Sequence, residues 1–400
     1  LEFYQKAPMA PDVHLDLPAA LRHMPKLRSL RFYPHCRIPQ LPRWFAELQL
    51  VELYISGSTY LSDHTYSSTS AWESDAECLP RSLEYLDMRG HDLSFKCARS
   101  LPRLRELRMN DGAEECPAWL HEVKSLRRLE LYLADSVDVL RRMSLEAIKA
   151  TSDLDWEDDQ PVETEGYVDA LERLVVGTPC GASLRELNIS GNKLSHVPDC
   201  FRGLQLQVLN ISDCGVEAIP SWIAELPLVA LDLAGNNDIS TLPASLQTVT
   251  SLRVLVLRGT NICGPSIECF DADGDVQWGP DHERCVPVLH VLEDSGELWV
   301  GGLDEDEALA EIVRRDAILR GLSLALPDLR MMLYWRTGDM LEVNPAKDWW
   351  HARCGYDWID PVFYTTDPTS ERDDGFIYHL TDTDSLEAAR ARLRAARGEA

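Results

Sequence analysis

Leucines recur along this chain in a ladder of the form L-x-x-L-x-h, in which h is an apolar residue. The last three positions alternate between apolar and other residues, which predicts a short strand with one buried face. Because a single unit cannot bury its apolar side alone, neighbouring units must stack into one continuous core. The pattern therefore predicts a repeat protein. The ladders are Leu27-Leu30-Phe32, Leu50-Leu53-Ile55, Leu83-Leu86-Met88, Leu104-Leu107-Met109, Leu126-Leu129-Leu131, Leu184-Leu187-Ile189, Leu206-Leu209-Ile211, Leu228-Leu231-Leu233 and Leu252-Leu255-Leu257.

The ladders from Leu184 onward carry a second signature at their ninth position. A small polar side chain there can hydrogen-bond backbone groups where the chain leaves the strand, groups that would otherwise be buried and unpaired. An apolar residue and a proline follow in three of the repeats, and proline suits an irregular return segment because it fixes φ and lacks an N–H donor. The polar residues are Asn192, Cys214, Asn236 and Thr260.

The stretches LRELNISGNKLSHVP (184–198), LQVLNISDCGVEAIP (206–220) and LVALDLAGNNDISTLP (228–243) resemble the leucine-rich repeat family. The resemblance implies a solenoid of α/β class, a horseshoe with a parallel sheet on its concave side. It also implies recognition of a partner there, in most cases a protein. We expect this solenoid to occupy 1–285 and to be followed by a small α/β segment.

Two insertions interrupt the predicted repeats, at about 56–82 and 134–170. The first is rich in serine and threonine. In the second, 135–152 has the pattern of a helix, and 153–169 carries eight acidic residues and no basic one. Such a charge block is usually a solvated loop, although it could also clamp a basic partner. The stretch 166–183 imitates a ladder but is better interpreted as a helix that leads into the strand at Leu184.

Beyond the last ladder the composition changes, and 286–400 is expected to be a capping segment or a small separate domain. Its pattern predicts two strands around a turn at 294–296, helices over 304–326 and 382–397, and a strand at 330–335. The exposed end of a repeat array needs a cover, and this segment can supply it.

The net charge and the number of cysteines limit which partners and which cellular compartment fit this chain. The net charge is −27 and the pI about 4.7. Nucleic acids and anionic membranes require basic patches, so both are disfavoured, whereas a basic protein partner fits. No stretch has the length needed to span a bilayer. The 11 cysteines are an odd number and are scattered, which favours a reduced, cytoplasmic protein.

The sequence contains only weak matches to motifs that bind metals or catalyse reactions. Asp271, Asp273 and Asp275 have the spacing of the start of a calcium loop, but the glycine and the final glutamate of such a loop are missing. His351 and Cys354 could ligate zinc, yet nothing in the spacing selects further ligands. We therefore expect no metal and no cofactor.

Cys269-Phe270-Asp271 is similar to the catalytic Cys-x-Asp of bacterial leucine-rich-repeat effectors that carry a ubiquitin-ligase domain. That domain is larger than the segment after Cys269, and it is mainly helical, whereas this segment is not. An enzymatic C-terminal segment stays open as an alternative.

The residues between the buried leucines of each strand must face the concave side. In the N-terminal repeats they are large, aromatic and charged, and tyrosine and arginine are favoured in binding hot spots. In the C-terminal repeats they are small. The candidate partner-binding residues are Arg31, Tyr33, Glu52, Tyr54, Tyr85, Asp87, Arg89, Glu106, Arg108, Arg128, Glu130 and Tyr132.

Three functional classes follow from these patterns. The leading hypothesis is a non-enzymatic interaction scaffold or adaptor that binds a protein on the concave face, as part of a larger assembly or alone. The second is an effector or enzyme whose activity lies in 286–400. The third is a secreted or surface receptor. The absence of a catalytic constellation in the sequence favours the first.

Overall fold

The computed structural model divides the chain into two compact units, Leu1–Leu187 and Asn188–Ala400. The predictions for 56–78, 153–163, 271–275, 286–303, 351–354 and 382–397 lie outside the residues that the structure describes. The described residues are 2–3, 19–32, 42–55, 79–88, 101–109, 118–132, 136–151, 164–257, 259–262, 314, 317–318, 321–322, 324–326, 329–336 and 360–364.

In the first unit, short strands pair in parallel and in sequence order from β1 to β7. The middle apolar residues of neighbouring ladders lie side by side in this sheet and are buried, as Leu53, Leu86 and Leu107 illustrate. The strands are β1 (Glu2–Phe3), β2 (Ser29–Phe32), β3 (Glu52–Ile55), β4 (Tyr85–Asp87), β5 (Glu106–Arg108), β6 (Arg128–Tyr132) and β7 (Ala147–Thr151).

The next strand, β8 (Glu186–Asn188), lies at the division between the units. In the second unit, β9 (Val208–Asn210), β10 (Ala230–Asp232) and β11 (Val254–Val256) pair in parallel. A strand from the C-terminal segment, β12 (Arg330–Arg336), continues this sheet in parallel beside β11, and β13 (Asp360–Tyr364) pairs with it in antiparallel fashion. The strand expected at 330–335 is therefore present, and it extends the repeat sheet.

Return segments between the strands are mostly short 3-10 helices, because each repeat must turn back within a few residues. The α-helices are α1 (Val137–Leu140), α2 (Thr164–Val175) and α3 (Pro179–Ser183). The 3-10 helices are Ala19–His23, Arg43–Glu47, Ala118–Glu122, Asp199–Phe201, Ser221–Glu225 and Ala244–Thr248.

The helix expected within 166–183 is present as α2 and α3. The prediction of a single helix over 135–152 is wrong. That stretch holds the short helix α1 followed by strand β7. Leu145, Ile148 and Ala150 form a ladder whose last position is a small alanine, and all three are buried. The segment that contains β7 is thus a further repeat, and it lies inside the range 134–170 that was expected to be an insertion.

The polar ninth positions make the backbone hydrogen bonds that the sequence predicts. Asn236 Nδ2 donates to the carbonyls of Ile211 at 2.9 Å and Leu233 at 2.8 Å, and its Oδ1 accepts from the backbone N–H groups of Cys214 and Val216. Asn192 and Thr260 each bond the carbonyl three residues before them, at 2.6 Å in both cases. These bonds fix the exit of the strand in the repeats that carry Asn192, Asn236 and Thr260.

Serines that precede the first ladder leucine link one repeat to the one before it. Ser82 Oγ donates to the carbonyl of Leu50 at 2.6 Å, and Ser251 Oγ donates to that of Leu228 at 2.7 Å. Ser183 makes the equivalent bond of 2.8 Å to Leu145, across the repeat that contains β7. These bonds hold the register of neighbouring strands, and therefore the side chains on their outward face.

Burial makes two thiols poor nucleophiles. It raises the pKa of Cys180 to about 12 and, as the largest influence, that of Cys214 also to about 12. Because the thiolate is the reactive form, we expect both to resist iodoacetamide at pH 8 in the folded chain, while half-buried Cys200 reacts. Alkylation mapped by mass spectrometry, with a urea-unfolded sample as control, measures this. Equal labelling of all three thiols in the folded chain would contradict the packing.

Candidate functional site

Strand register in the first unit aligns two rows of outward side chains. The first row contains Ser29, Glu52, Tyr85, Glu106, Arg128 and Ala147. The second row contains Arg31, Tyr54, Asp87, Arg108, Glu130 and Lys149. Neighbouring strands lie about 4.8 Å apart, so each side chain can touch its neighbours in the row and in the adjacent row.

Four of these side chains form a continuous contact, which we call the Arg–Tyr stack. The guanidinium carbon of Arg31 lies 4.1 Å from the centre of the Tyr54 ring. The rings of Tyr54 and Tyr85 are 4.6 Å apart between centres and tilted by 37°. The guanidinium carbon of Arg108 lies 5.4 Å from the centre of the Tyr85 ring. Cation–π and aromatic contacts of this kind fix the orientation of all four side chains.

The surroundings of the Arg–Tyr stack keep its two tyrosines neutral and Arg108 charged. Burial raises the pKa of Tyr54, and burial raises that of Tyr85 by more. Burial alone would lower the pKa of Arg108, but its interactions with the carboxylates of Glu130 and Glu106 outweigh this and raise it. The stack therefore presents neutral phenols beside a permanent positive charge.

Carboxylates anchor Arg108 from two sides. Its Nε donates to Glu106 Oε1 at 3.1 Å and lies 3.5 Å from Glu130 Oε2. The other oxygen of Glu130 accepts a hydrogen bond of 2.9 Å from Lys149 Nζ. Arg128 adds weaker contacts, 3.9 Å to Glu106 and 3.6 Å to Glu186. A network of ion pairs thus extends from β7 to the Arg–Tyr stack.

The structure brings nine of the twelve predicted residues onto this face in strands β2 to β6. Two of them, Asp87 and Glu130, are only 2% and 5% exposed, although the sequence pattern places them on the open side. The larger neighbours cover these shorter carboxylates. Tyr33 and Arg89 lie outside the described residues, and of Tyr132 only the backbone, in β6, is described.

One residue of this ion-pair network, Lys149, was not predicted from the sequence. Lys149 belongs to β7, whose ladder ends in alanine and lies in a helix-like pattern. The signal that could have found it is the spacing Leu145-Ile148-Ala150, which matches the other ladders when a small last residue is allowed.

Outward positions in the second unit differ from those in the first. Asn210 and Asp232 are buried, and each accepts a hydrogen bond, at 2.9 Å and 3.0 Å, from the backbone N–H two residues later. Asn188 makes the same bond to Ser190 at 3.0 Å. Their side chains therefore stabilise the local backbone, and the described part of this unit shows no counterpart of the Arg–Tyr stack.

Within the described ranges, no cluster of three or more histidine, cysteine, aspartate or glutamate residues could hold a metal ion. None of the helices described there combines the length and the apolar character needed to cross a membrane.

The family of these repeats follows from their geometry together with a sequence match. The family model for the Leucine Rich Repeat matches residues 183–204. This range contains the ladder of β8 and Asn192, whose side chain bonds the strand exit. These repeats are leucine-rich repeats. In the remaining ladders of this leucine-rich repeat protein, the equivalent positions form short strands and carry buried leucines.

Solved structures of other leucine-rich repeat proteins are similar to this one at low identity. An internalin (inlF) from Listeria monocytogenes is 19% identical, with a TM-score of 0.36, over 62% of this chain and 66% of that one. A leucine-rich repeat protein from Leptospira interrogans is 18% identical, with a TM-score of 0.30, over 61% and 69%. The leucine-rich repeat domain of the type III effector XopL is 19% identical, with a TM-score of 0.24, over 61% and 64%.

This chain therefore spans just under two thirds of the internalin and of the XopL domain. No curated protein matches it in sequence. At these identities no partner and no activity transfers from the similar structures to this leucine-rich repeat protein.

Proposed function

We propose that this protein is a non-enzymatic interaction scaffold that binds a partner protein on the outward sheet face of its first unit. The observation that carries the proposal is the Arg–Tyr stack, which joins four neighbouring strands through contacts of 4.1, 4.6 and 5.4 Å. Leucine-rich repeat proteins commonly act through such extended sheet surfaces.

Residue type and pre-organisation both support a binding role for this stack. Tyrosine and arginine are enriched among residues that dominate binding energy. Side chains already held against each other lose little further rotamer freedom when a partner binds, which removes part of the usual entropic penalty. An arginine whose flat side lies on a ring still has the N–H groups at its edge, which can donate to partner oxygens. The stack thus combines apolar area with directed donors.

The side chains around the stack also support a binding surface over a catalytic centre. Arg108, Glu130 and Lys149 are engaged with one another in ion pairs that span strands β5 to β7. Such groups orient a surface and are not poised to transfer protons to a substrate. We further propose an intracellular location, since buried Cys180 and Cys214 are free thiols.

The test is affinity capture of partner proteins from the native source, measured by quantitative mass spectrometry. The intact chain is used as one bait and the double variant Tyr54→Ala/Tyr85→Ala as the other. We expect recovery of the partner to fall by about 30-fold or more, which corresponds to about 2 kcal/mol for loss of a hot spot. The matched control is Arg43→Ala/Arg142→Ala, two exposed residues away from the stack. An unchanged circular dichroism spectrum ensures that the double variant is folded. A partner retained by the folded double variant would contradict the proposal.

A further inference from the structure

Three neighbouring strands of the second unit place polar side chains in one row on the outward face of their sheet. Asn210 and Asp232 pair in register on β9 and β10. The N–H of Ile189 donates to the carbonyl of Asn210 at 2.9 Å, and the N–H of Ile211 makes the equivalent bond of 3.0 Å to Asp232. Asn188, the residue before Ile189, therefore lies beside Asn210. We call Asn188, Asn210 and Asp232 the Asn–Asp row.

The fold uses only the side-chain oxygen of each asparagine in this row. Asn188 Oδ1 and Asn210 Oδ1 each accept a hydrogen bond from the backbone N–H two residues later, at 3.0 and 2.9 Å. Because an N–H group can donate only to the oxygen of a carboxamide, the nitrogen of each side chain points away from this bond. Asp232 makes the same bond with a carboxylate, at 3.0 Å. The local backbone thus requires an oxygen at this position and no nitrogen.

The two amide nitrogens are buried donors that the fold leaves unused. Asn188 is 8% exposed and Asn210 1%, and Nδ2 of neither side chain donates to any atom in the described part of the chain. A buried donor without an acceptor costs stability, and native proteins contain few of them. Two such donors on adjacent strands are a pair that the acceptor of a ligand would satisfy.

The spacing of the two donors matches a single carbonyl oxygen. Side chains in register on adjacent strands are about 4.8 Å apart. An oxygen about 2.9 Å from both nitrogens accepts two hydrogen bonds at an angle of about 110°, close to the directions of the two lone pairs of a carbonyl. The carboxylate of Asp232 comes next in the row, where it repels an anion and can accept from an N–H group. The row therefore selects a carboxamide over a carboxylate.

We propose that the Asn–Asp row binds the carboxamide side chain of a glutamine on a partner protein. The glutamine oxygen lies between the two asparagines, and its NH2 group is directed toward the carboxylate. Val208, Ala230 and Val256, which neighbour the row on the same face, supply apolar contacts for the glutamine methylenes.

Burial of the row favours the tip of one long side chain over a backbone segment. Neither asparagine nitrogen touches solvent in the free chain, so side chains at the entrance change rotamer on binding, as is common at interfaces. The site lies on the second unit, whereas the proposed function concerns the first. It therefore adds a binding site to that function and does not depend on it.

The first test compares two probes of nearly the same shape, propionamide and propionate, by NMR on the full chain. Propionamide is the glutamine side chain without its backbone. The signals are the side-chain NH2 groups of Asn188 and Asn210, assigned with Asn188→Asp and Asn210→Asp. We expect propionamide to shift both signals with saturation, and propionate to shift them at least about fivefold less, because Asp232 repels the anion. The NH2 signal of exposed Asn237 is the internal control and should show no saturable shift.

The second test removes the donors and keeps the acceptors that the fold uses. In Asn188→Asp/Asn210→Asp, each carboxylate can still accept from the backbone, as Asp232 does, but it donates no hydrogen bond when ionised. The backbone N–H signals of Ser190 and Ser212 then report binding at pH 8. We expect this variant to lose at least about tenfold in propionamide affinity, since both bonds to the oxygen are missing.

The matched control is Gln207→Glu/Asn237→Asp, which makes the same charge change on exposed residues and should lose less than about twofold. If the double variant at the row does not fold, Asn188→Asp alone removes one donor at the less buried position and should lose at least about threefold. The absence of a saturable shift with propionamide, equal shifts with propionate, or full binding by a folded Asn188→Asp/Asn210→Asp variant would each overturn the proposal.

Discussion

Replacing Asn236 by alanine should lower the free energy of unfolding of the second unit by about 3–5 kcal/mol. The side chain is fully buried and satisfies backbone groups of two repeats at once. Its removal leaves the N–H groups of Cys214 and Val216 without their acceptor and the carbonyl of Ile211 without its donor. The carbonyl of Leu233 loses its 2.8 Å bond and keeps only the backbone N–H of residue 236, at 3.4 Å. Each buried group left unpaired costs about 1–3 kcal/mol, less where the backbone can relax or water can enter.

Urea denaturation followed by tryptophan fluorescence, together with hydrogen exchange of peptides covering 205–240, measures the effect. Exchange is needed because a chain of two units does not have to unfold in one step. The matched control is Asn237→Ala, since this neighbour is exposed and should change stability by less than about 0.5 kcal/mol.

A second substitution at this site tests the mechanism itself. Thr260 occupies the ninth position of its own repeat and donates to Leu257 at 2.6 Å, equivalent to the bond from Asn236 to Leu233. Asn236→Thr should therefore keep one bond and lose less stability than Asn236→Ala. If alanine and threonine destabilise the unit equally, or if Asn237→Ala does as much harm, the hydrogen bonds are not the cause.

These repeats are predictable from sequence because two independent signals agree at each of them. Leucine spacing defines a buried face, and a polar ninth residue such as Asn192 satisfies the backbone that the face leaves open. The sequence also indicates which residues lie between the leucines, so the positions of Arg31, Tyr54 and Arg108 in the rows follow from the ladder alone. Strand register then needs no further information, since the strands of neighbouring repeats pair in parallel, one repeat apart.

What the side chains do on that face is not predictable in the same way. Register places Tyr54 beside Asp87, yet its ring packs on Tyr85, one row away. Burial of Glu130 depends on the lengths of Arg108 and Lys149 around it, and no periodicity encodes this. β7 was missed because an alanine at its last ladder position removes the apolar contrast that separates a strand from a helix.

The second large effect is expected at Glu130, whose carboxylate connects β7 to the Arg–Tyr stack. Glu130→Ala should lower the free energy of unfolding of the first unit by about 1–3 kcal/mol, less than for a fully buried pair because Arg108 and Lys149 are partly solvated. Without Glu130, Lys149 loses its 2.9 Å acceptor, and Arg108 loses one of its carboxylate partners while it keeps the hydrogen bond to Glu106. Partner affinity should therefore fall by about tenfold, although Glu130 itself is buried.

Two further variants separate positioning from a general loss of stability. Glu130→Gln keeps an acceptor for Lys149 and should retain most of the partner binding, whereas Glu146→Gln removes an exposed carboxylate 3.5 Å from Arg127 and should change stability by less than about 0.5 kcal/mol. Denaturation gives the stability of each variant, and capture of the partner gives its binding. If Glu130→Ala lost stability and kept full affinity, the ion-pair network would support only the fold, and the Arg–Tyr stack would hold its binding geometry without it.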